Sequence, residues 1–301
     1  MCVILGHPSM LGAAQRMSFA FQIVLVKPER FPPARALAPT AVMLYLGLRR
    51  LGKPVRIESN AFLHDGGNIV VGAHLLDPAA ASTLPERTVI YNTEPVCNRV
   101  RDLDSVLPFA KRFSVWDYSA RNADAIVRAV PDARVRVVEP GYLPEMTRVE
   151  HRATKDIDVL FYGQQSEGRQ AILDALRRSG MSVRQLDNTY DLDLDPWLGR
   201  TKLVLALHFE PGTPFALGRV VHCLSNHCAM VVEHDPGDDV PADLAPGLAL
   251  ADRSRIVDVC RRLVEDDEAR RELAARGFAC IERRDFTASL RAAIAAETAF
   301  C

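Results

Sequence analysis

The sequence predicts an α/β protein of two domains, each a parallel sheet with crossover helices, facing one another across a central cleft. Three observations predict it. Short apolar runs bounded by turn residues alternate with segments of helical periodicity along most of the 301 residues. The alternation is interrupted once, by Pro140-Gly141-Tyr142-Leu143-Pro144 and a polar stretch to Lys155, and then resumes. Hydrophobic residues make up 48% and charged residues 25%, enough apolar surface for two cores at a length that suits about two domains.

The expected division is an N-terminal segment over residues 1–20, free to be disordered, a first domain over 21–150 and a second over 151–301. In the first domain Gln22-Ile23-Val24-Leu25-Val26 is strand-like, and residues 27–38, with three prolines, form a loop of the kind that often carries function. Residues 40–51 form a helix stopped by Gly52, and Val55-Arg56-Ile57 is the next strand. Further strands are expected at 68–71, 88–91, 113–116 and 135–138, with a helix over 120–130.

The second domain opens with Ile157-Asp158-Val159-Leu160-Phe161-Tyr162, a loop at Gly163-Gln164-Gln165-Ser166, and a helix to Arg178 stopped by Gly180. Residues 181–186 form its second strand. The most informative stretch follows: the apolar run Leu203-Val204-Leu205-Ala206-Leu207, a polar loop, and a helix expected to start at Thr213-Pro214. A second apolar run then ends at Glu233. Thr at an N-cap with Pro at the first helical position is a helix start, and unpaired N–H groups there favour an anion such as phosphate. Helices over 256–263, 267–276 and 286–294 complete the domain. Ligands of open parallel sheets sit beyond the carboxyl ends of the strands, which places the site in the cleft.

Composition narrows the partners. A formal net charge of -1 with both signs mixed leaves no basic field for nucleic acid, so a small molecule or a protein is expected. Seven scattered cysteines suggest reduced thiols. The first 20 residues lack the pattern of a signal peptide, and no membrane insertion is expected, so residence is expected to be cytoplasmic. His222-Cys223 and His227-Cys228 match no common zinc spacing, and no metal is expected. Asp191-Leu192-Asp193-Leu194-Asp195 is expected to be a solvated acidic loop, and Trp116 and Trp197 to pack in the core.

The order Asp158-Val159-Leu160-Phe161-Tyr162-Gly163, helix, strand, then Lys202-Leu203-Val204-Leu205-Ala206-Leu207-His208-Phe209-Glu210 and a helix with Arg219 ending in Val231-Val232-Glu233 resembles a donor domain. It is similar to that of GT-B glycosyltransferases, nearest to the bacterial CgeB-like and family 1 or 4-like group. Ser114-Val115-Trp116-Asp117-Tyr118-Ser119, Asn122 and residues 140–144 resemble segments preceding the linker in that group.

The resemblance implies two Rossmann-like domains. The first binds an unidentified glycan, small-molecule or protein acceptor. The second binds a nucleotide sugar, a co-substrate, with no cofactor and no mandatory metal. On this reading Gly163 lets a diphosphate approach the backbone, and Arg169 neutralises phosphate charge. His208 donates to the leaving diphosphate or a sugar hydroxyl. Phe215, Arg219 and His222 share a helical face, with Arg219 the preferred diphosphate cation, and Glu210 is placed to contact the sugar. Glu233 holds the ribose hydroxyls. A base for the acceptor hydroxyl is expected at a strand end of the first domain, either Glu94 or Asp117; Asp117 also suits a helix cap.

Two positions depart from the pattern. His222 and His227 stand where relatives often have Glu-x-x-x-x-Gly, and Ala206 stands for their usual Asn. These motivate a rival reading, a GT-B-like binding or regulatory module without catalysis. A nucleotide-sugar epimerase of similar fold is a third.

Overall fold

The computed structural model describes residues 20–97, 100–209 and 215–300. Residues 1–19, and with them nearly all of the expected N-terminal segment, lie outside the described residues, as do Glu210, Thr213 and Pro214.

The first sheet contains β1 (Phe21–Leu25), β2 (Val55–Ser59), β3 (Gly67–Val71), β4 (Thr88–Asn92), β5 (Ser114–Asp117) and β6 (Val135–Val137). Their order is β2-β1-β3-β4-β5-β6, with every pairing parallel. The second contains β7 (Ile157–Tyr162), β8 (Val183–Leu186), β9 (Thr201–Ala206), β10 (Ala229–Glu233) and β11 (Ala249–Ala251), in the order β11-β10-β9-β7-β8 and again parallel throughout. Central strands β3, β4 and β10 are buried at every position, which is why they read as continuous apolar runs rather than alternating ones.

Each sheet reverses its strand order once, between β1 and β3 in the first domain and between β7 and β9 in the second. Loops leaving the two strands at such a point diverge to opposite faces and open a crevice beyond their carboxyl ends. The two crevices face each other, because residues following β1, β3, β7 and β8 line one cavity.

Helices α1 (Ala38–Arg50), α2 (Val100–Ala110) and α3 (Ala120–Ala129) cover the first sheet, and α4 (Glu167–Arg178), α6 (Leu217–Ser225), α7 (Ile256–Glu265) and α8 (Asp267–Glu282) cover the second. The short α5 (Asp195–Leu198) precedes β9. Helix α6 corrects the expected start at Thr213-Pro214. It begins at Leu217, with Ala216 in the N-cap position and no side-chain cap. Helix α8 runs through the expected stop at Gly277, which is buried against Gly247 and leaves no room for a side chain. No helix among the described residues is long and apolar enough to cross a membrane.

The expected division at 150/151 falls between β6 and β7, but the last helix, α9 (Phe286–Ala295), departs from it. Phe286, Leu290 and Ala293 pack among Leu44, Leu48, Val71 and Trp116 in the first domain's core. Gly47 on α1 permits this approach, since a Cβ there would meet Leu290 at 2.7 Å. The apolar spacing of 286–294 fixes a helix with one buried face; it carries no information about which sheet that face covers.

Candidate functional site

Between the domains lies a cleft of about 810 Å³. Its second-domain wall carries Tyr162, Gly163, Gln164, Gln165, Arg219 and His222. Its first-domain wall carries residues 31–43 in part, with His74, Leu75 and Glu94.

Gly163 ends β7 in a left-handed conformation, φ 127°, that side chains rarely adopt. A Cβ there would lie 2.8 Å from Arg219 Nη2 and 3.8 Å from Arg169 Nη1, so two guanidinium groups flank one bare stretch of backbone. Arg219 rises from the first turn of α6 and lies over the Tyr162 ring, 4.7 Å from its centroid. Its Nη1 is buried with no hydrogen-bond partner, and no carboxylate pairs with it among the described residues. A half-buried cation with an unpaired inner nitrogen beside a second cation is an anion-attracting arrangement.

Arg169 contributes differently from the expectation. Nε donates to His208 O at 3.1 Å, Nη1 to Gln164 O at 2.6 Å and Nη2 to Leu207 O at 2.7 Å, so it pins the loops after β7 and β9. Burial, reinforced by repulsion from Arg219 and opposed by Glu233, lowers its pKa to about 10. Its hydrogen bonds are thus directed to backbone carbonyls.

His208 and Glu233 sit together at the ends of β9 and β10, outside the cleft lining. Glu233, 2% exposed, accepts the His208 backbone N–H at 2.8 Å and Arg253 Nε at 2.9 Å. The His208 ring lies between Asp235, 3.6 Å from Nδ1, and Asp238, 3.3 Å from Nε2. His208, Glu233 and Asp235 bring ligand-type atoms within 4.8 Å of one another, but both Glu233 oxygens already accept hydrogen bonds and Arg253 opposes a cation. Phe215 is placed apart from the anion site. It precedes α6, is buried in the cluster that also holds Tyr162, Leu217 and Val220, and does not line the cleft.

On the first-domain wall Glu94 is half-buried, its Oε1 3.4 Å from His74 Nε2. Burial lowers the His74 pKa, opposed by the charges of Glu94 and Asp102. Sequence reasoning missed His74; its signal was its position just beyond β3, three residues past Val71. Asp117 lies beneath the cleft in the core, 0% exposed, and does not line the cavity. It accepts from Asn92 Nδ2 at 2.7 Å, Ser119 N at 2.8 Å and Asn122 Nδ2 at 3.1 Å, and burial raises its pKa to about 6 against these bonds. Asn92 and Asn122 each also donate to Glu94 O, at 3.0 and 2.9 Å. Asp117 thus braces the turn that presents Glu94.

The acidic loop keeps Leu192 and Asp193 exposed, as expected, but its carboxylates are charge-paired. Arg148, from the linker, donates to Asp191 at 2.7 Å and Asp195 at 2.8 Å, while Arg35 reaches Asp193 at 2.5 Å from across the cleft. Trp116 is fully buried, and Trp197 packs against the second core with Arg184 and Arg200 on its ring. His227 takes a left-handed φ of 53° and stacks on Phe278 at 3.9 Å, while Cys223 and Cys228 are core residues.

No protein-family model and no curated protein sequence matches the chain. Solved structures do. Anabaena Alr3699/HepE in complex with UDP and glucose superposes with a TM-score of 0.62 at 12% identity, covering 92% of this chain and 98% of that one. T4 phage BGT with its UDP-glucose substrate gives 0.56 at 12% identity, covering 91% and 97%. AviGT4, a glycosyltransferase involved in avilamycin A biosynthesis, gives 0.55 at 16% identity, covering 92% and 98%. Two parallel α/β domains with opposed crevices, matched over nine-tenths of their length by these enzymes, give the chain the GT-B glycosyltransferase fold.

Proposed function

We propose that the protein transfers a sugar from a nucleoside-diphosphate sugar, a UDP-sugar by analogy with what HepE and T4 BGT bind, to a hydroxyl acceptor in the cleft. The observation that carries this reading is Arg219, a half-buried guanidinium whose inaccessible Nη1 is unpaired and set against the bare backbone of Gly163. A diphosphate fits that arrangement, since it supplies both the missing acceptor and the missing charge. Arg219 and the Arg169 field would stabilise the leaving diphosphate, with no resident metal required for that role.

In the reaction the acceptor oxygen forms a bond to the anomeric carbon as the bond from that carbon to the diphosphate oxygen breaks. The acceptor proton passes to the Glu94–His74 pair, which the braced turn holds on the opposite wall. Glu233 ties the loop after β9 to the end of β10 by accepting the His208 N–H. Closure across the cleft would exclude water from the donor.

A thermal-shift and calorimetric titration with UDP and UDP-glucose tests the donor site, and release of UDP on adding acceptors tests transfer. Stabilisation by UDP, abolished in Arg219→Met, is expected. No stabilisation by any nucleoside diphosphate or nucleotide sugar would remove the donor reading, and donor binding without release of UDP in any acceptor screen would favour the binding-module alternative.

A further inference from the structure

The first-domain wall of the cleft differs sharply from the second. Where the second presents Arg219, His222, several amides and the carboxylates of Asp187 and Asp191, the first presents Phe31, Pro33, Leu37, Val42, Met43 and Leu75. Among its described lining residues the ionisable groups are His74 and Glu94, which face one another, and the linker's Arg148. Arg35, on the same segment, turns away to Asp193, and the linker's Arg148 has its charge matched by Asp191 and Asp195. Among the described residues no cation on this wall is left for an anionic acceptor.

The wall is also built to stay in place. Residues Pro32–Leu37 form a 3-10 turn with proline at its start, which fixes φ. Phe31 remains 42% exposed, one of few large apolar side chains so presented. A rigid apolar surface beside one hydroxyl-reactive pair matches a ligand that is apolar over most of its area and polar at one point.

From this we infer that the acceptor is a small, uncharged and largely apolar alcohol or phenol, seated against residues 31–43 and Leu75 with its hydroxyl toward Glu94 and His74. The inference rests on the proposed transfer for the direction of the hydroxyl. A polyanion would bring phosphates to a wall whose one unmatched charge among the described residues is a carboxylate. The neighbour described as a DNA-modifying β-glucosyltransferase therefore shares this fold but is not a guide to the acceptor.

The test is a matched pair: 2-naphthol, uncharged at pH 7, and 6-hydroxynaphthalene-2-sulfonate, which adds one negative charge to the same ring. Binding of each to the full chain is measured with and without saturating UDP, and glucosylation of each with UDP-glucose. Naphthol is expected to bind at least about tenfold more tightly than the sulfonate and to be the better acceptor by a similar factor. Phe31→Asp, at an exposed position that does not threaten folding, and Val42→Asp are each expected to erase that preference while leaving UDP affinity unchanged. Absence of naphthol binding, equal or tighter binding of the sulfonate, or an unchanged preference in both variants would overturn the inference. Failure of UDP to bind would instead sink the donor reading, and the naphthol measurement made without UDP keeps the two outcomes separate.

Discussion

Replacing Arg219 by Met should separate stability from binding, because the two respond in opposite directions. Methionine keeps an apolar stem for the Tyr162 ring, over which the guanidinium now lies, and removes a charge whose Nη1 has no partner. An unsatisfied buried polar group costs about 1–3 kcal/mol, so the ligand-free variant should melt no lower than wild type and up to a few degrees higher. Binding should move the other way. A charge-assisted hydrogen bond is worth about 1.5–3 kcal/mol, or roughly 10- to 150-fold in affinity for a single bond to phosphate. With UDP at 100 times the wild-type Kd, wild type gains about 2.7 kcal/mol, on the order of 5 °C; a variant bound 100-fold more weakly gains about 0.4 kcal/mol, under about 1 °C. Differential scanning fluorimetry at several UDP concentrations, backed by calorimetry, reads both effects. A variant that loses stability without UDP, or that keeps the full UDP shift, would refute the assignment of Arg219 to the diphosphate.

Other outcomes follow from the first-domain wall. Glu94→Gln and His74→Ala should each lower kcat by about 10²- to 10⁴-fold while UDP-glucose affinity changes less than about twofold, measured by steady-state kinetics and calorimetry. Because burial holds His74 below its ordinary value, the acidic limb of the kcat profile should lie below about pH 6.5 and disappear in His74→Ala. The same depression means that the stability His74 contributes is present above its unfolded pKa and lost as pH falls through the folded one. Asp117 has the opposite sign: raised to about 6, its contribution is present below its unfolded pKa and declines as pH rises to about 6, by about 3 kcal/mol in all. Asp117→Asn should flatten that slope in denaturant melts between about pH 4 and 6.5, and by loosening the Glu94 turn should lower kcat more than it changes donor affinity. Arg35→Ala removes an exposed pair and should cost less than about 1 kcal/mol, with an effect that fades at high salt.

The two sheets were legible because parallel strands buried on both faces leave uninterrupted apolar runs, as in Leu203-Val204-Leu205-Ala206-Leu207 and in Met230-Val231-Val232. Position after a strand likewise pointed to Gly163 and Glu94. What stayed hidden was partnership across long separations. Arg148 meets Asp191 and Asp195 more than 40 residues later, so a run of carboxylates that looked solvated is charge-matched. Arg169 showed one cation on a helix, and nothing local revealed that its donors are taken by three carbonyls. Asp117 satisfied both a catalytic and a capping pattern, and only its depth and its two asparagine partners distinguish a brace from a base.

The return of α9 to the first domain has a consequence for how the molecule is made. The first domain's core waits for Phe286, Leu290 and Ala293, and for Phe300 packed against it, whereas the residues enclosing the second core have all emerged by Glu282. During translation the second domain can therefore close before the first, although it is encoded after it. The joint that completes the sequence is small: Tyr142 N–H donates to Arg284 O at 2.7 Å and Phe286 N–H to Tyr142 O at 3.2 Å, laying the outgoing and returning chain side by side. A nascent chain stalled before residue 286 should hold a protease-resistant second domain and a protease-sensitive first one.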